Sequence, residues 1–304
     1  MAGAVVTVGT FDGVHLGHQA VLARAGDVAR ESGLERVAYA FLLPPREAGS
    51  GPESSCLLLP PPAKERLLLS WVDRVERADF AELRQLSAAS FVRDVLVERL
   101  AARAVVVGEA FRFGRRREGD LELLRRVGEE RGLRVFAVAP VVVDGEAVSS
   151  TRIRSLVARG EVGRARGLLG RPPLLVGEVV RGDGLGRTLG FPTANLALDP
   201  RVLVPGPGIY LAQAFVSAGR SPGLLYVGER PTVKGQGVRC EIHLFSPPEE
   251  DLYERTVEAH LLVKLRDDRA FPSLEALRLQ MERDAALARS LLASSDEVPR
   301  RILP

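Results

Sequence analysis

Val5-Val6-Thr7-Val8-Gly9-Thr10-Phe11-Asp12-Gly13-Val14-His15-Leu16-Gly17-His18 decides how the first half of this chain folds. Val5–Val8 is a short apolar run of the kind buried in a parallel sheet. A glycine-bounded turn follows, and then a helix that opens on H-x-G-H and keeps helical spacing to Ser32 through Val21, Leu22, Ala25, Val28 and Ala29. Strand, turn and helix in that order predict a phosphate site. The first helical turn presents unpaired N–H groups and the positive end of the helix dipole. His15 and His18 fall on one helical face, where two imidazoles can donate hydrogen bonds to charge building on a phosphate. Read without its flanks, H-x-G-H is equally a tight turn carrying two exposed histidines. The strand and the Gly-Thr-Phe-Asp-Gly lead-in favour the phosphate reading.

Around this motif the first half alternates strands and helices. Val37–Leu42, Ala104–Val107 and Val135–Val138 read as strands, and Ala63–Val72, Ser87–Leu100 and Leu121–Arg131 as helices. The pattern predicts a parallel sheet covered on both faces, with ligands at the carboxyl ends of its strands. Leu43–Pro62, rich in Pro, Gly and Ser, reads as a long loop. Thr151–Leu169 reads as two short helices. Beyond Pro172-Pro173 the character changes to strands with turn signals: Leu174–Val180, Ile209–Val216, Gly223–Val227, Val238–Phe245 and Thr256–Leu265. Ser273 is an N-cap for a final amphipathic helix running to about Leu292. An antiparallel barrel with a C-terminal helix is expected, and the domains are placed at 1–169 and 170–304.

Composition agrees with two globular domains. The 304 residues are 46% hydrophobic and 27% charged, with a net charge of +3 that gives no support for extensive nucleic-acid binding. Lysine occurs only at positions 64, 234 and 264, so the basic residues are almost all arginine. Cys56 and Cys240 match no metal or redox spacing. No secretory leader and no run of membrane-spanning length is read, so a soluble, cytoplasmic protein is expected.

Two further motifs carry chemistry. In Gly182-Asp183-Gly184-Leu185-Gly186-Arg187-Thr188-Leu189-Gly190-Phe191-Pro192-Thr193-Ala194-Asn195, closely spaced glycines let backbone N–H groups curl around an anion. Thr193 and Asn195 supply hard side-chain oxygens of the kind Mg2+ accepts. Ser149-Ser150-Thr151-Arg152-Ile153-Arg154 opens a helix with hydroxyls and arginines, suited to a triphosphate.

The string Gly9–His18 closely resembles the signature of the HxGH nucleotidyltransferases, and within them the prokaryotic FAD synthetases, whose S-S-T-x-I-R motif matches Ser149–Arg154. Gly182–Asn195 resembles the G-x-G-R-x-L-G-F-P-T-A-N signature of riboflavin kinases. Arg230-Pro231-Thr232, the E-x-H-L strand Glu241-Ile242-His243-Leu244, Asp251-Leu252-Tyr253, Leu265-Arg266 and Phe271 through Asp284 follow in that family's order. From Val6 to about Ala293 the chain resembles bifunctional riboflavin kinase/FAD synthetases. The resemblance implies a Rossmann-like HxGH nucleotidyltransferase domain followed by an antiparallel β-barrel riboflavin kinase domain with a C-terminal helix. It implies phosphorylation of riboflavin to FMN by ATP, adenylylation of FMN to FAD with release of pyrophosphate, and a need for Mg2+. The partners implied are the small molecules riboflavin, FMN and ATP, with neither nucleic acid nor membrane.

The resemblance also carries roles. Glu241 would be the kinase base; by itself it reads as an ordinary surface carboxylate on an alternating strand. Thr193 and Asn195 would hold the metal, and Gly182, Gly184, Gly186 and Arg187 would cover the phosphates. At the first site His15, His18 and Arg152 would stabilise the transferring α-phosphate, with Gly9, Phe11, Asp12, Gly17, Ser150, Thr151 and Arg154 binding ATP. Three departures stand out. Phe41-Leu42-Leu43-Pro44-Pro45 lacks the acidic residue of F-D-P-x-P. Ala110 replaces the polar residue of G-x-[DN]-F-x-F-G in Gly108–Gly114, and Tyr226-Val227-Gly228 replaces Asn-Ile-Gly. Two readings stay open: both activities, or a riboflavin kinase whose first domain is a weakened nucleotide-binding, regulatory or interaction module.

Overall fold

The computed structural model describes residues 3–41, 56–182, 184–216, 219–232, 235–294 and 302. Leu42 and most of the predicted Leu43–Pro62 loop lie outside them. The chain forms two compact units. Pro61–Ser150 joins the N-terminal residues in the first, and Thr151 onward joins residues 56–60 in the second.

The first unit is a five-stranded parallel sheet in the order β3-β2-β1-β4-β5. Its elements are β1 (Ala4–Gly9), α1 (Leu16–Ser32), β2 (Glu35–Ala40), α2 (Pro61–Leu69), β3 (Arg74–Arg77), α3 (Phe80–Leu83), α4 (Ala88–Ser90), β4 (Ala102–Gly108), α5 (Leu121–Glu129) and β5 (Arg134–Val138). A small hairpin, β6 (Val142–Val143) with β7 (Glu146–Ala147), follows. α4 runs straight into a wider, π-type helical stretch at Phe91–Arg99, where the sequence pattern predicts a regular helix over Ser87–Leu100.

The apolar runs are buried on both sides. Val6, Val8, Val37, Tyr39, Val105 and Val107 pack beneath Phe91–Leu96 and Leu124, while Val5, Ala104 and Val106 pack under Ala25, Val28 and Ala29 of α1. β2 and β3 lie to one side of β1, and β4 and β5 to the other. The sheet therefore reverses direction at β1, and the crevice beyond its carboxyl end is where such folds take ligands. β3, unread in the sequence, is short, charged and at the sheet edge, where charge discourages further pairing.

In the second unit α6 (Ser150–Ala158) and α7 (Val162–Leu169) precede a closed barrel in the order β10-β11-β12-β9-β8-β13. The strands are β8 (Leu174–Val180), β9 (Ala194–Leu198), β10 (Gly208–Val216), β11 (Gly219–Thr232), β12 (Gly235–Leu244) and β13 (Thr256–Arg266). A single turn, α8 (Leu185–Thr188), sits between β8 and β9, and α9 (Leu274–Ala293) closes the chain. Closure removes the unpaired edges that an open antiparallel sheet would expose. Val162 of α7 packs into the barrel's apolar cluster, and Leu57 bridges to Val202. Packing thus groups the two short helices with the barrel, although the composition changes only at Gly170. Ser273 Oγ accepts from Ala276 N at 3.1 Å and caps α9, whose Ala285 and Ala288 bury against Leu211 and Leu224.

Within β12, Cys240, Ile242 and Leu244 point into the barrel core. Strand alternation places Arg239, Glu241 and His243 on the outer face. Register then sets Glu241 opposite Tyr226 of β11 on one side and Asn195 of β9 on the other.

Candidate active sites

At the carboxyl end of β1 the chain makes a strained turn. Val14 N donates to Phe11 O at 3.0 Å, and Phe11, Gly13 and Val14 have φ of +46°, +81° and +41°. A branched residue in the left-handed region is costly, and such strain persists where surrounding structure enforces it. Phe11, Asp12 and Val14 are buried. Gln19 Nε2 donates to Val14 O at 2.9 Å, and Oγ of Ser150, the last residue of the first unit, donates to Asp12 O at 2.9 Å.

His15 caps α1. Its Nδ1 accepts from His18 N at 3.3 Å, so in the neutral ring the proton sits on Nε2, which is left as a donor. The two imidazoles stack with centroids 3.6 Å apart and planes at 18°, and Phe11 meets His18 edge-on at 5.3 Å. His18 Nδ1 is buried without a hydrogen-bond partner. Burial, then His15, then Lys64 push the His18 pKa well below the ordinary 6.5, so His18 is neutral near pH 7. A Cβ on Gly17 would lie 3.1 Å from His15 Cε1, so a side chain there would press on the His15 ring.

Beside this turn lies a cavity of about 340 Å³ walled by Phe41, Phe80, Phe91, Phe111 and Phe113, with Arg84, Arg112 and Arg117 also lining it. Phe111 and Phe113 stack at 5.3 Å and 14°. Ala110 is exposed in the turn just before them, so the aromatic wall of the Gly108–Gly114 motif stands despite the alanine. Thr151 and Arg152 follow Ser150 in the first turn of α6. Arg154 Nε donates to Cys56 O at 2.8 Å.

The second site lies on the outer face of the barrel. Thr193 Oγ1 donates to Glu241 Oε2 at 3.1 Å, and Arg239 Nε donates to Glu241 Oε1 at 2.5 Å. Glu241 is buried. The glycines ahead of it are explained by close approach. A Cβ on Gly182 would fall 2.0 Å from Asn195 Nδ2, and one on Gly186 would fall 2.4 Å from Phe191 O and 3.0 Å from Thr193 Oγ1. Gly184, in the left-handed region at φ +71°, starts the single turn α8. A cavity of about 230 Å³ holds Thr193, Glu241, Arg239 and Tyr226 together with Arg266, Asp268, Arg269 and Phe271. Tyr226 Oη donates to Asp268 Oδ2 at 3.0 Å. Arg187, Pro192 and Thr193 also line a smaller adjoining cavity of about 190 Å³ with Leu252 and Tyr253. His243 Nδ1 lies 2.9 Å from Pro192 O and braces the loop.

Residues 1–152 match the family model described as FAD synthetase, and residues 169–292 match the one described as riboflavin kinase. The chain belongs to the bifunctional riboflavin kinase/FMN adenylyltransferase family. The protein of that name from Pseudomonas fluorescens is 40% identical over 304 residues, covering 96% of this chain and 94% of its own. The Escherichia coli K12 protein of the same name is 37% identical over 290 residues, covering 94% and 92%. A crystal structure described as the macrolide-efflux protein from Streptococcus pneumoniae superposes with a TM-score of 0.84 at 31% identity and covers 95% of each chain. Among the described residues of this family member, no helix is long and apolar enough to cross a membrane.

Sequence reasoning missed Lys64, Arg239 and Asp268. Arg239 was signalled by its position two residues before Glu241 on one strand face. Lys64 had no signal, because it sits in an unremarkable amphipathic helix.

Proposed function

We propose that the chain phosphorylates riboflavin to FMN at the barrel site and adenylylates FMN to FAD at the sheet site, consuming one ATP in each step. The observation that carries the kinase half is the Thr193–Glu241 hydrogen bond at 3.1 Å, with Asn195 paired across from Glu241. The ribityl hydroxyl is a neutral nucleophile and needs a base as it attacks the γ-phosphorus. Glu241 takes its proton, the new O–P bond forms, and the bond to the ADP oxygen breaks. Arg239 orients Glu241, and the Gly182–Gly186 segment with Arg187 covers the phosphates. Positioning and charge neutralisation carry most of such a transfer.

Thr193 and Asn195 fit a magnesium ion. They offer one or two hard oxygens, and magnesium takes the rest from phosphates and water. Among the described residues no group of three His, Cys, Asp or Glu side chains could hold a metal without such help. When bound there, magnesium neutralises phosphate charge.

Adenylyl transfer differs because the FMN phosphate is already anionic. The residues have only to align it with the α-phosphorus and stabilise the charge that builds as pyrophosphate leaves. His15 and the neutral His18 act as donors. The strained turn of Gly9, Phe11 and Asp12, with Gly17, admits the nucleotide. Ser150 engages its phosphates. The phenylalanine-walled cavity takes the flavin ring, and its arginines suit the anionic tail. Chromatography of products from the full chain with riboflavin and MgATP tests the proposal. FAD is expected; FMN alone would leave the sheet site a binding module, and neither product would refute both halves.

A further inference from the structure

Lys64 is the most deeply buried cation among the described residues of the first unit, with no exposed surface. It lies in α2 and reaches the ends of two strands, where Nζ donates to Thr10 O at 3.1 Å and to Phe41 O at 2.9 Å. Thr10 is the first residue beyond β1 and Phe41 the first beyond β2, and Phe41 N donates to Gly9 O at 3.0 Å. The ammonium thus continues the β1–β2 pairing one step past the sheet, where backbone bonding stops. Both residues it holds line the aromatic cavity. Thr10 also leads directly into the strained Phe11–Val14 turn. One side chain therefore fixes the junction between the phosphate turn and the cavity.

An ammonium so deeply buried needs well-placed acceptors, and Thr10 O and Phe41 O, at the ends of two neighbouring strands, are two of them. A methionine or leucine could fill the same space. We propose that Lys64 is a positioning residue for adenylyl transfer, setting the distance between the phosphate turn and the flavin cavity and keeping a fixed positive charge behind the place where the two phosphates meet. This rests on the adenylyltransferase reading of the sheet site. Lys64 touches no reacting atom: a flavin phosphate oxygen bonds to the α-phosphorus, and the α–β bridging oxygen leaves with pyrophosphate and its electron pair. The charge also acts on the histidine pair. Among the described residues, the titratable groups that bear on His18 are His15 from the turn and Lys64 from α2, and both disfavour its protonation.

The test uses the full chain carrying Lys64→Met or Lys64→Arg. Three measurements are made on each preparation: FMN adenylylation for its kcat and KM, riboflavin phosphorylation, and the His18 titration by proton–carbon NMR. For Lys64→Met, kcat for FAD formation should fall roughly 10²-fold while KM changes little, as for loss of one fixed transition-state group. Riboflavin phosphorylation should be unchanged, and His18 should titrate at higher pH than in the parent. Lys64→Arg, which keeps the charge and the donors, should recover most of the kcat and the parent His18 titration. A folded Lys64→Met variant with parental kcat and parental His18 titration would overturn the proposal. If the methionine variant does not fold, the arginine variant decides: a His18 titration moved upward, or FAD formation lost at parental melting temperature, would overturn it. A parent protein that makes FMN but no FAD would instead refute the adenylyltransferase reading. The His18 titration would then still show whether Lys64 acts on the pair.

Discussion

The two proposed sites would handle phosphate with opposite equipment. On the sheet, the proposed reacting surface is a stacked pair of imidazoles, with His18 held neutral by burial and by the nearby His15 and Lys64. On the barrel it is a carboxylate, Glu241, gripped by Arg239 and Thr193. The contrast follows from the proposed nucleophiles. A hydroxyl must lose a proton as it attacks, so its site needs a base. A phosphate arrives already ionised, so its site needs donors and fixed positive charge more than a base.

The sharpest way to break this comparison is Glu241→Gln. It should lower riboflavin phosphorylation by about 10²–10⁴-fold, the range of a general base, with little change in ATP affinity and none in FMN adenylylation. Wild-type turnover in that variant would remove Glu241 from the chemistry. His15→Ala should reduce FAD formation from supplied FMN by about 10²–10³-fold, as for loss of an oxyanion donor, and leave FMN formation intact.

Gly186→Ala sharpens the barrel side. Its Cβ would meet Phe191 O at 2.4 Å, so a loss of about 1–3 kcal/mol is expected in thermal or denaturant unfolding. Kinase activity should drop with it because Thr193 is displaced, and adenylylation should not.

The smallest effect is in pH. The pKa of His18 lies below 6.5 in the fold. As pH falls through 6.5, the unfolded chain therefore binds the proton before the folded one, and stability declines until the folded value is reached. Melting of the first unit should weaken below pH 6.5 by at most about 1.4 kcal/mol per pH unit from this residue. His18→Gln should flatten that slope; an unchanged slope would show that His18 is not the group responsible.

Much of this was legible where one physical signal dominated. Thr256–Leu265 alternates cleanly and Leu174–Val180 is an apolar run bounded by turn signals, and they form β13 and β8 within a residue. β9 was not read, because its residues Ala194–Leu198 follow directly on the glycine motif. The glycines themselves invited an account through backbone N–H groups. Gly182 and Gly186 also make room for the Asn195 and Thr193 side chains, a requirement that only register and packing reveal. The two histidines read in isolation as exposed, yet His15 is buried and the His18 Nδ1 is sealed off. Lys64 was invisible because burial of a lysine is decided by tertiary neighbours and leaves no local pattern.

The most direct test runs two reactions on two variants: riboflavin with MgATP and FMN with MgATP, each on Glu241→Gln and on His15→Ala, with products separated by chromatography. Two independent sites predict a crossed result. Glu241→Gln should make FAD from FMN but almost no FMN from riboflavin, while His15→Ala should make FMN and almost no FAD. If either variant loses both reactions while remaining folded, the division of labour between imidazole pair and carboxylate is wrong.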